Sequence, residues 1–206
     1  MQRGKFIVFE GLDGSGKSTH MKLLAARLEG QGHRVLQTKE PTNGEVGRHL
    51  QKILSSGADT DMHLQAALFL ADRIEHITDR SGGINRALDA GCTVICDRYY
   101  YSSFAYQGTK IDMDWVMDIN LKSPAMLTPD LCVFLDVDPL ECKSRLDAER
   151  HTLELYEKDA ALMAQIRMNF MSVFEKLKPR ENIVIIDANR PKPDVAQDII
   201  AAVEVL

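Results

Sequence analysis

Residues 6–19 read FIVFEGLDGSGKST, an apolar run followed directly by a glycine-rich segment. Gly11, Gly16, Lys17 and Ser18 match the phosphate-binding pattern G-x-x-x-x-G-K-[ST]. The apolar run is typical of a short buried strand, and a helix is expected to begin near Lys17. Backbone N–H groups in such a turn, with the positive end of the following helix, offset the charge of phosphate oxygens. The stretch therefore predicts a nucleotide-phosphate site between a strand and a helix.

The loop residues have separate roles in this interpretation. Glycines permit the backbone angles and the close approach, Lys17 would reach the β- and γ-phosphates, and Ser18 would hold Mg²⁺. A flexible glycine turn with a solvated lysine is the alternative, and the strand before the loop disfavours it. The residues expected to bind ATP here are Gly11, Leu12, Asp13, Gly14, Ser15, Gly16, Lys17, Ser18 and Thr19.

Length and composition bound the class of protein. The chain has 206 residues, enough for one α/β domain over residues 1–206. Its net charge is −5 and no basic run stands out, which argues against a general nucleic-acid binder. No apolar stretch approaches the length of a membrane span. The first strand begins almost at the N-terminus, so we expect no signal peptide and a cytoplasmic location.

The four cysteines are Cys92, Cys96, Cys132 and Cys142, and no two form a C-x-x-C pair. Cys92, Cys96 and Cys132 lie in apolar, strand-like runs. They are predicted to be buried reduced thiols rather than zinc ligands.

Apolar runs alternate with segments of helical periodicity. Strands are predicted at residues 5–10, 34–38, 93–96, 131–135 and 183–186, with helices that include residues 63–77, 139–148 and 156–177. The strand runs are continuous rather than alternating, which is typical of strands buried on both faces of a parallel sheet. The pattern predicts a three-layer α/β/α fold with a five-stranded parallel sheet. Ligands of such sheets bind beyond the carboxyl ends of the strands.

The third predicted strand ends in Asp97-Arg98-Tyr99. An aspartate at this edge, beside a phosphate loop, can hold Mg²⁺ or its waters. Arg98 can bind a phosphate as a two-pronged donor. A structural Asp–Arg pair that caps a loop remains an equal alternative from these residues alone.

Longer stretches of the chain resemble a known family. Residues 97–108 read DRYYYSSFAYQG, and together with EGLDGSGKST at 10–19 they are similar to thymidylate kinases. Glu40-Pro41 after the second strand, LFLADR at 68–73 and Asp187-Ala188-Asn189 after the fifth strand fit the same family. The resemblance implies transfer of a phosphoryl group from ATP to dTMP with Mg²⁺, as a step in dTTP synthesis.

The resemblance also implies roles around the acceptor phosphate. A carboxylate beside phosphates is electrostatically costly, so we expect Asp13 to serve a purpose there. The resemblance implies that it faces the acceptor, at the sugar hydroxyl or the metal, and the alternative is that it only braces the turn. Because the second pKa of a phosphate ester is about 6, no general base is required. Transfer instead needs charge neutralisation by Mg²⁺, Lys17, Arg98 and a further arginine.

A base pocket is implied as well. Phe69 would stack on thymine and Arg73, one helical turn on, would contact a base carbonyl. Without the family, Phe69 would be assigned to the core and Arg73 to the surface. The remaining residues expected to contact dTMP are Ser102, Ser103, Tyr106 and Gln107. Of these, Tyr106 would crowd a ribose 2′-hydroxyl. Loop capping is the alternative for the serines and Gln107.

Two departures from the family pattern leave questions open. Gly14 and Ser15 occupy positions where one branch carries a basic residue, so we predict an arginine from a lid at residues 143–157. Arg150 is the candidate for catalysis, and Arg145 for stacking on adenine beside Asn189, although this segment could be an ordinary solvated helix. Thr42 stands where some members hold the acceptor phosphate with an arginine, and Arg48 or Lys39 are the candidate substitutes.

Family analogy predicts a homodimer through the helix at residues 63–77. Two other functions remain open from the sequence. One is a related nucleoside or deoxynucleoside monophosphate kinase with another acceptor. The other is a P-loop ATPase switch that binds a partner protein, for which the second anion site at Arg98 and the base pocket would have no use.

Overall fold

The computed structural model describes residues 3–56, 60–149 and 159–206. The chain alternates strands and helices as the sequence pattern predicts. In chain order the elements are β1 (Phe6–Glu10), α1 (Lys17–Gly30), β2 (Val35–Lys39), α2 (Glu45–Ser56), α3 (Met62–Thr78), α4 (Ile84–Asp89), β3 (Thr93–Asp97), α5 (Tyr100–Gln107), α6 (Met113–Leu121), β4 (Leu131–Asp136), α7 (Pro139–Glu149), α8 (Ala160–Leu177), β5 (Ile183–Asp187) and α9 (Lys192–Glu204).

The strands form one parallel sheet in the order β2-β3-β1-β4-β5, with helices packed around it. This confirms the predicted α/β fold with a five-stranded parallel sheet. Strand β1 lies at the centre, where Val8 pairs with Cys96 on one side and with Cys132 on the other. The carboxyl end of β1 therefore opens into the phosphate loop between the ends of β3 and β4.

Burial differs between the central and the edge strands. Every residue of β1 is buried, and so is most of β3 and β4. The outer strands β2 and β5 are only half-buried, so the expectation of burial on both faces was wrong for them. Each outer strand has a neighbouring strand on one side only, so its other edge is not covered by the sheet.

Aromatic residues of α5, α8 and β4 join the sheet to its helices. Phe134 of β4 contacts Phe170 and Phe174 of α8, with ring centroids 5.0 Å apart in both cases. The Tyr101 ring of α5 also packs near Phe174, with ring centroids 6.0 Å apart. Helix α5 is thereby held in the core, and its first turn is fixed next to the end of β1.

The predicted element bounds hold to within one or two residues, except at one helix start. A helix was predicted from residue 156, whereas α8 begins at Ala160 with Asp159 capping it through a hydrogen bond to the Ala161 N–H. Residues 156–158 lie outside the described residues. The first part of the predicted lid belongs to α7, and its remainder, from Arg150 onward, also lies outside them.

All four cysteines are free and buried, as predicted. Within residues 3–56, 60–149 and 159–206, no helix is both long enough and apolar enough to cross a bilayer.

Candidate active site

Three glycines shape the phosphate loop between β1 and α1. Gly11, Gly14 and Gly16 have φ angles of 145°, 81° and 93°, which other residues rarely adopt. Two of them also lie against backbone: a Cβ at Gly11 would meet the Leu135 oxygen at 2.8 Å, and one at Gly14 would meet the Cys142 oxygen at 2.6 Å. The loop is therefore packed between the end of β4 and helix α7, with no space for a side chain at Gly11 or Gly14.

The Lys17 ammonium lies over this loop. Its Nζ donates to the backbone oxygens of Gly11 and Leu12 at 3.0 and 2.9 Å, and it lies 3.9 Å from Asp13 Oδ1. The side chain of Leu12 belongs to the core, so this residue faces the site through its backbone only. Ser18 and Thr19 are exposed in the first turn of α1, whereas Ser15 is buried and its Oγ has no hydrogen-bond partner among the described residues.

Arg98 joins the end of β3 to the phosphate loop. Its Nη2 donates to Asp13 Oδ1 at 2.6 Å and to the Tyr106 hydroxyl at 3.1 Å. The guanidinium carbon lies 4.8 Å from the centroid of the Tyr106 ring, a cation–π arrangement. The Tyr106 hydroxyl in turn lies 3.4 Å from Asp13 Oδ2. One carboxylate, one guanidinium and one phenol thus converge beside the loop.

The backbone at Arg98 is left-handed, with φ at 67°. For a residue with a Cβ this conformation costs roughly 1–2 kcal/mol. A hydrogen bond from its N–H to the Phe9 oxygen at 2.9 Å helps to hold the turn. Strained backbone of this kind concentrates at functional sites, where it directs a side chain that a relaxed turn would place elsewhere.

Glu10, the last residue of β1, binds the residues that follow Arg98 in the chain. It is fully buried, and its Oε1 accepts the backbone N–H groups of Tyr99 and Ser102 at 2.8 and 3.1 Å. Its Oε2 accepts the Ser102 hydroxyl at 2.6 Å. Burial raises the pKa of Glu10 to about 7, although the Arg98 charge and these hydrogen bonds act in the opposite direction. The sequence analysis did not single out Glu10, although an acidic residue that ends an apolar central strand is a usable signal.

Arg73 lies in the interior. Its side chain is 1% exposed, so the surface assignment that would hold without the family is wrong. Nε donates to Glu40 Oε2 at 2.8 Å, Nη1 to Asn120 Oδ1 at 2.6 Å and Nη2 to Ser103 Oγ at 3.1 Å. A buried guanidinium needs such partners because burying an unpaired charge is costly. Asn120, on α6, was not singled out in the sequence.

Phe69 and Gln107 are two further residues that the family resemblance assigns to the base pocket. Phe69 is half-buried and is not part of the hydrophobic core, unlike most phenylalanines of this chain. Gln107 is 1% exposed, and its Oε1 has no hydrogen-bond partner in the described part of the chain. A buried amide oxygen without a partner is costly unless a ligand or water satisfies it.

The side chains expected near adenine lie at the carboxyl ends of the sheet. Asn189 Oδ1 accepts the Asp138 N–H at 3.1 Å, which links the loops after β5 and β4. Arg145 Nη1 lies 3.4 Å from the Gly14 oxygen, and Nε donates to Glu141 at 2.9 Å. Arg145 is therefore held against the phosphate loop by α7. Arg150, the predicted catalytic lid arginine, lies outside the described residues.

Thr42 has a structural function where other members carry a phosphate-binding arginine. Its N–H and Oγ1 both donate to Asp72, at 2.9 and 2.5 Å, which ties the loop after β2 to α3. Lys39 and Arg48 are exposed, and neither forms an ion pair with any residue in the described ranges. Both cations remain candidates for the acceptor phosphate.

These features define a class: a P-loop nucleotide-binding protein whose loop is joined by an arginine to the next strand of the sheet. The family model for thymidylate kinase matches residues 9–199. A probable thymidylate kinase of Pyrococcus horikoshii is 38% identical over 98% of this chain and 97% of that protein. One of Pyrococcus abyssi is 39% identical over the same shares, and a thymidylate kinase of Clavibacter michiganensis is 36% identical over 95% and 92%. The chain belongs to the thymidylate kinase family, which phosphorylates dTMP to dTDP using ATP.

Proposed function

We propose that this chain transfers the γ-phosphoryl group of ATP to dTMP by direct in-line displacement with Mg²⁺, as a step in dTTP synthesis. The observation that carries the proposal is the Arg98–Asp13 pair, which adds a second anion-binding group immediately beside the phosphate loop. A nucleotide switch needs only the loop, whereas a kinase must bring a second phosphate to it.

On the donor side, the backbone of residues 11–19 holds the ATP phosphates. Lys17 would exchange the Gly11 and Leu12 oxygens for phosphate oxygens, since its ammonium already lies over the loop. Arg145 and Asn189 border the adenine. Both lie at the sheet edge from which α7 and the β5–α9 loop extend.

On the acceptor side, Arg98 binds the dTMP phosphate, and Asp13 faces the acceptor sugar or the metal. Tyr106 packs against the deoxyribose beneath Arg98. Phe69 stacks on thymine, while Arg73, Ser103 and Gln107 contact its polar edge, with Ser102 behind them. The unpartnered Gln107 oxygen supports this role, because thymine offers an N–H donor.

The residues present fit a magnesium ion. Asp97 Oδ1 is buried without a hydrogen-bond partner in the described residues, and Ser18 presents its hydroxyl in the first turn of α1. No group of three His, Cys, Asp or Glu side chains within the described residues could form a cage. Mg²⁺ typically uses one or two protein ligands together with phosphates and waters, which suits this pair. When bound, it neutralises charge on the transferred group.

Arg150 would add the remaining positive charge from the lid, because the phosphate loop offers none at Gly14 or Ser15. Gly14 has no space for a side chain beneath α7, which supports supply of that charge from outside the loop. Residues 143–157 form the lid in this proposal.

The protein would act as a cytoplasmic homodimer. Leu64 of α3 is 51% exposed, and Trp115 of α6 is 37% exposed and contacts the His63 ring. Such apolar groups on neighbouring helices suit contact with a second copy. Sedimentation velocity with Leu64→Glu tests this, because a shift from dimer to monomer is expected.

A coupled assay of ADP release tests the reaction itself. dTMP should give the highest kcat/KM, dUMP the second highest and UMP a far lower value. A preference for CMP or AMP would assign the chain to a kinase with another acceptor. ATP hydrolysis at equal rates with and without every acceptor would favour the switch.

A further inference from the structure

Glu10 is a fully buried acidic residue to which the proposed reaction gives no role. Within the described residues, the three hydrogen bonds to its carboxylate come from the N-cap and first turn of α5: two from the backbone N–H groups of Tyr99 and Ser102, and one from the Ser102 hydroxyl. Helix α5 has no capping side chain of its own, since its N-cap residue is Tyr99. Glu10 therefore caps α5 from a different strand, in the way that a local Ser or Asp usually would.

Ser102 connects this cap to the reacting region. Its hydroxyl donates to Glu10 Oε2 at 2.6 Å and accepts from Arg98 Nη1 at 3.0 Å. Arg98 then has Nη2 directed at Asp13 and the Tyr106 hydroxyl. Two contacts therefore hold the guanidinium. Nη1 is bound by the Ser102 hydroxyl, which is itself bound by Glu10, and Nη2 is bound by Asp13 of the phosphate loop.

We propose that Glu10 is a positioning residue that orients Arg98 for the acceptor phosphate through the hydroxyl of Ser102. This inference rests on the proposed role of Arg98 in phosphorylation of dTMP. Above about pH 7, where Glu10 is ionised, its carboxylate fixes the direction of these hydrogen bonds. An ionised oxygen can only accept, so the Ser102 hydroxyl must donate to it and keep its lone pairs for Arg98.

Glu10→Gln isolates this link. Glutamine keeps an oxygen for the two backbone N–H groups, so the cap of α5 survives. It replaces the other oxygen by an NH₂ donor, which removes the acceptor of the Ser102 hydroxyl. The substitution therefore changes the hydrogen bonding at Arg98 more than it changes the helix.

Glu181→Gln is the matched control. Glu181 also stabilises α5 by accepting hydrogen bonds, from the hydroxyls of Tyr100 and Tyr101 at 2.9 and 2.5 Å. Neither tyrosine hydroxyl contacts Arg98, so this carboxylate stabilises the same helix without the connection to the site. Each variant is measured well above pH 7, where Glu10 is ionised, for melting temperature, kcat, KM for dTMP and KM for ATP.

We expect Glu10→Gln to lower kcat/KM for dTMP by about 10- to 100-fold, as a small misplacement of a substrate-holding group does. KM for ATP should remain within about twofold, and Glu181→Gln should leave all three kinetic constants unchanged even where its melting temperature falls. Equal kinetics for the two variants at equal stability would overturn the proposal.

A second comparison covers the case in which Glu10→Gln does not fold. Ser102→Ala should lower kcat/KM for dTMP in the wild-type background but add less than about twofold in an Arg98→Ala background, because coupled residues are not additive. Full loss in both backgrounds would show that Ser102 acts apart from Arg98 and would overturn the inference. Wild-type kinetics for Arg98→Ala alone would instead contradict the proposed function.

Discussion

Arg98 Nη2 and Asp13 Oδ1 lie 2.6 Å apart, joining the end of β3 to the phosphate loop across 85 residues of chain. A carboxylate within a phosphate loop repels the anions that the loop binds, so its presence requires a compensating charge. Arg98 supplies that charge, and the left-handed backbone at Arg98 directs the guanidinium to it.

The first prediction concerns discrimination against ribose. In Tyr106→Ala, the kcat/KM for dUMP divided by that for UMP should fall by roughly 10-fold or more, because removing the ring opens space at the 2′ position of the sugar. It should also weaken dTMP binding, since the ring supports Arg98. Tyr106→Phe retains the ring and loses only the hydroxyl, so it should keep the ratio. An unchanged ratio in the alanine variant would place the discrimination elsewhere.

The second prediction concerns the two lid arginines. Arg150→Ala should lower kcat by roughly 10³-fold or more with little effect on nucleotide binding, as loss of an arginine that acts in the transition state does. Arg145→Ala should mainly raise KM for ATP. Lys122→Ala, which removes an exposed ion pair with Asp118 at the end of α6, is the control and should leave kcat and KM for ATP unchanged. Near-normal kcat in both arginine variants would refute the lid.

The third prediction concerns Gly14. Gly14→Ala must adopt a φ of 81° and place its Cβ 2.6 Å from the Cys142 oxygen. Gly32→Ala faces a φ of 87° but open space, so it measures the backbone cost alone, roughly 1–2 kcal/mol. Gly14→Ala should lower the free energy of unfolding by about 1–3 kcal/mol more than Gly32→Ala does, because packed neighbours must move. Equal losses in urea unfolding would show that α7 shifts freely.

The fourth prediction is a pH dependence of stability that originates in Glu10. Burial raises the pKa of Glu10 from 4.5 to about 7, so the folded state binds this proton more tightly than the unfolded state. The associated stability is present below the unfolded pKa and is lost as the pH rises through 7. Arg98, Lys17 and the hydrogen bonds from Tyr99 and Ser102 already act against this shift.

Glu10→Gln removes that titration. The free energy of unfolding of the wild type, minus that of Glu10→Gln, should fall by roughly 2–3 kcal/mol between pH 5 and pH 8. Urea unfolding of both proteins across this range gives the difference directly. A difference that is flat with pH would mean that Glu10 titrates at its ordinary value.

The fifth prediction concerns the metal. Asp97→Asn should raise the Mg²⁺ concentration for half-maximal activity by roughly 10-fold or more, because it removes the charge of the carboxylate that the proposed site pairs with the Ser18 hydroxyl. Asp89→Asn, at a surface pair with Arg3, should leave the Mg²⁺ requirement unchanged. EDTA should abolish activity in all three proteins. A Mg²⁺ requirement unaltered by Asp97→Asn would remove that residue from the metal site.

The fold could be predicted because its signals are local. Continuous apolar runs mark the strands, and intervening helical periods imply parallel connections, so each strand was found to within a residue or two. The edge strands were harder, since β2 and β5 read like central strands but are only half-buried. Whether a strand lies at the edge of the sheet depends on the order in which the strands pair, and the sequence of a single strand does not reveal that order.

The candidate site divides in the same way. By itself the sequence determined the phosphate loop, because glycine geometry, a helix N-terminus and a lysine act within 14 consecutive residues, 6–19. Only the tertiary structure decided that Arg73 is buried, because its partners Glu40 and Asn120 lie 33 and 47 residues away. The same holds for Glu10 beneath α5. A charged residue can be buried only where distant segments supply its hydrogen bonds, and folding alone brings those segments together.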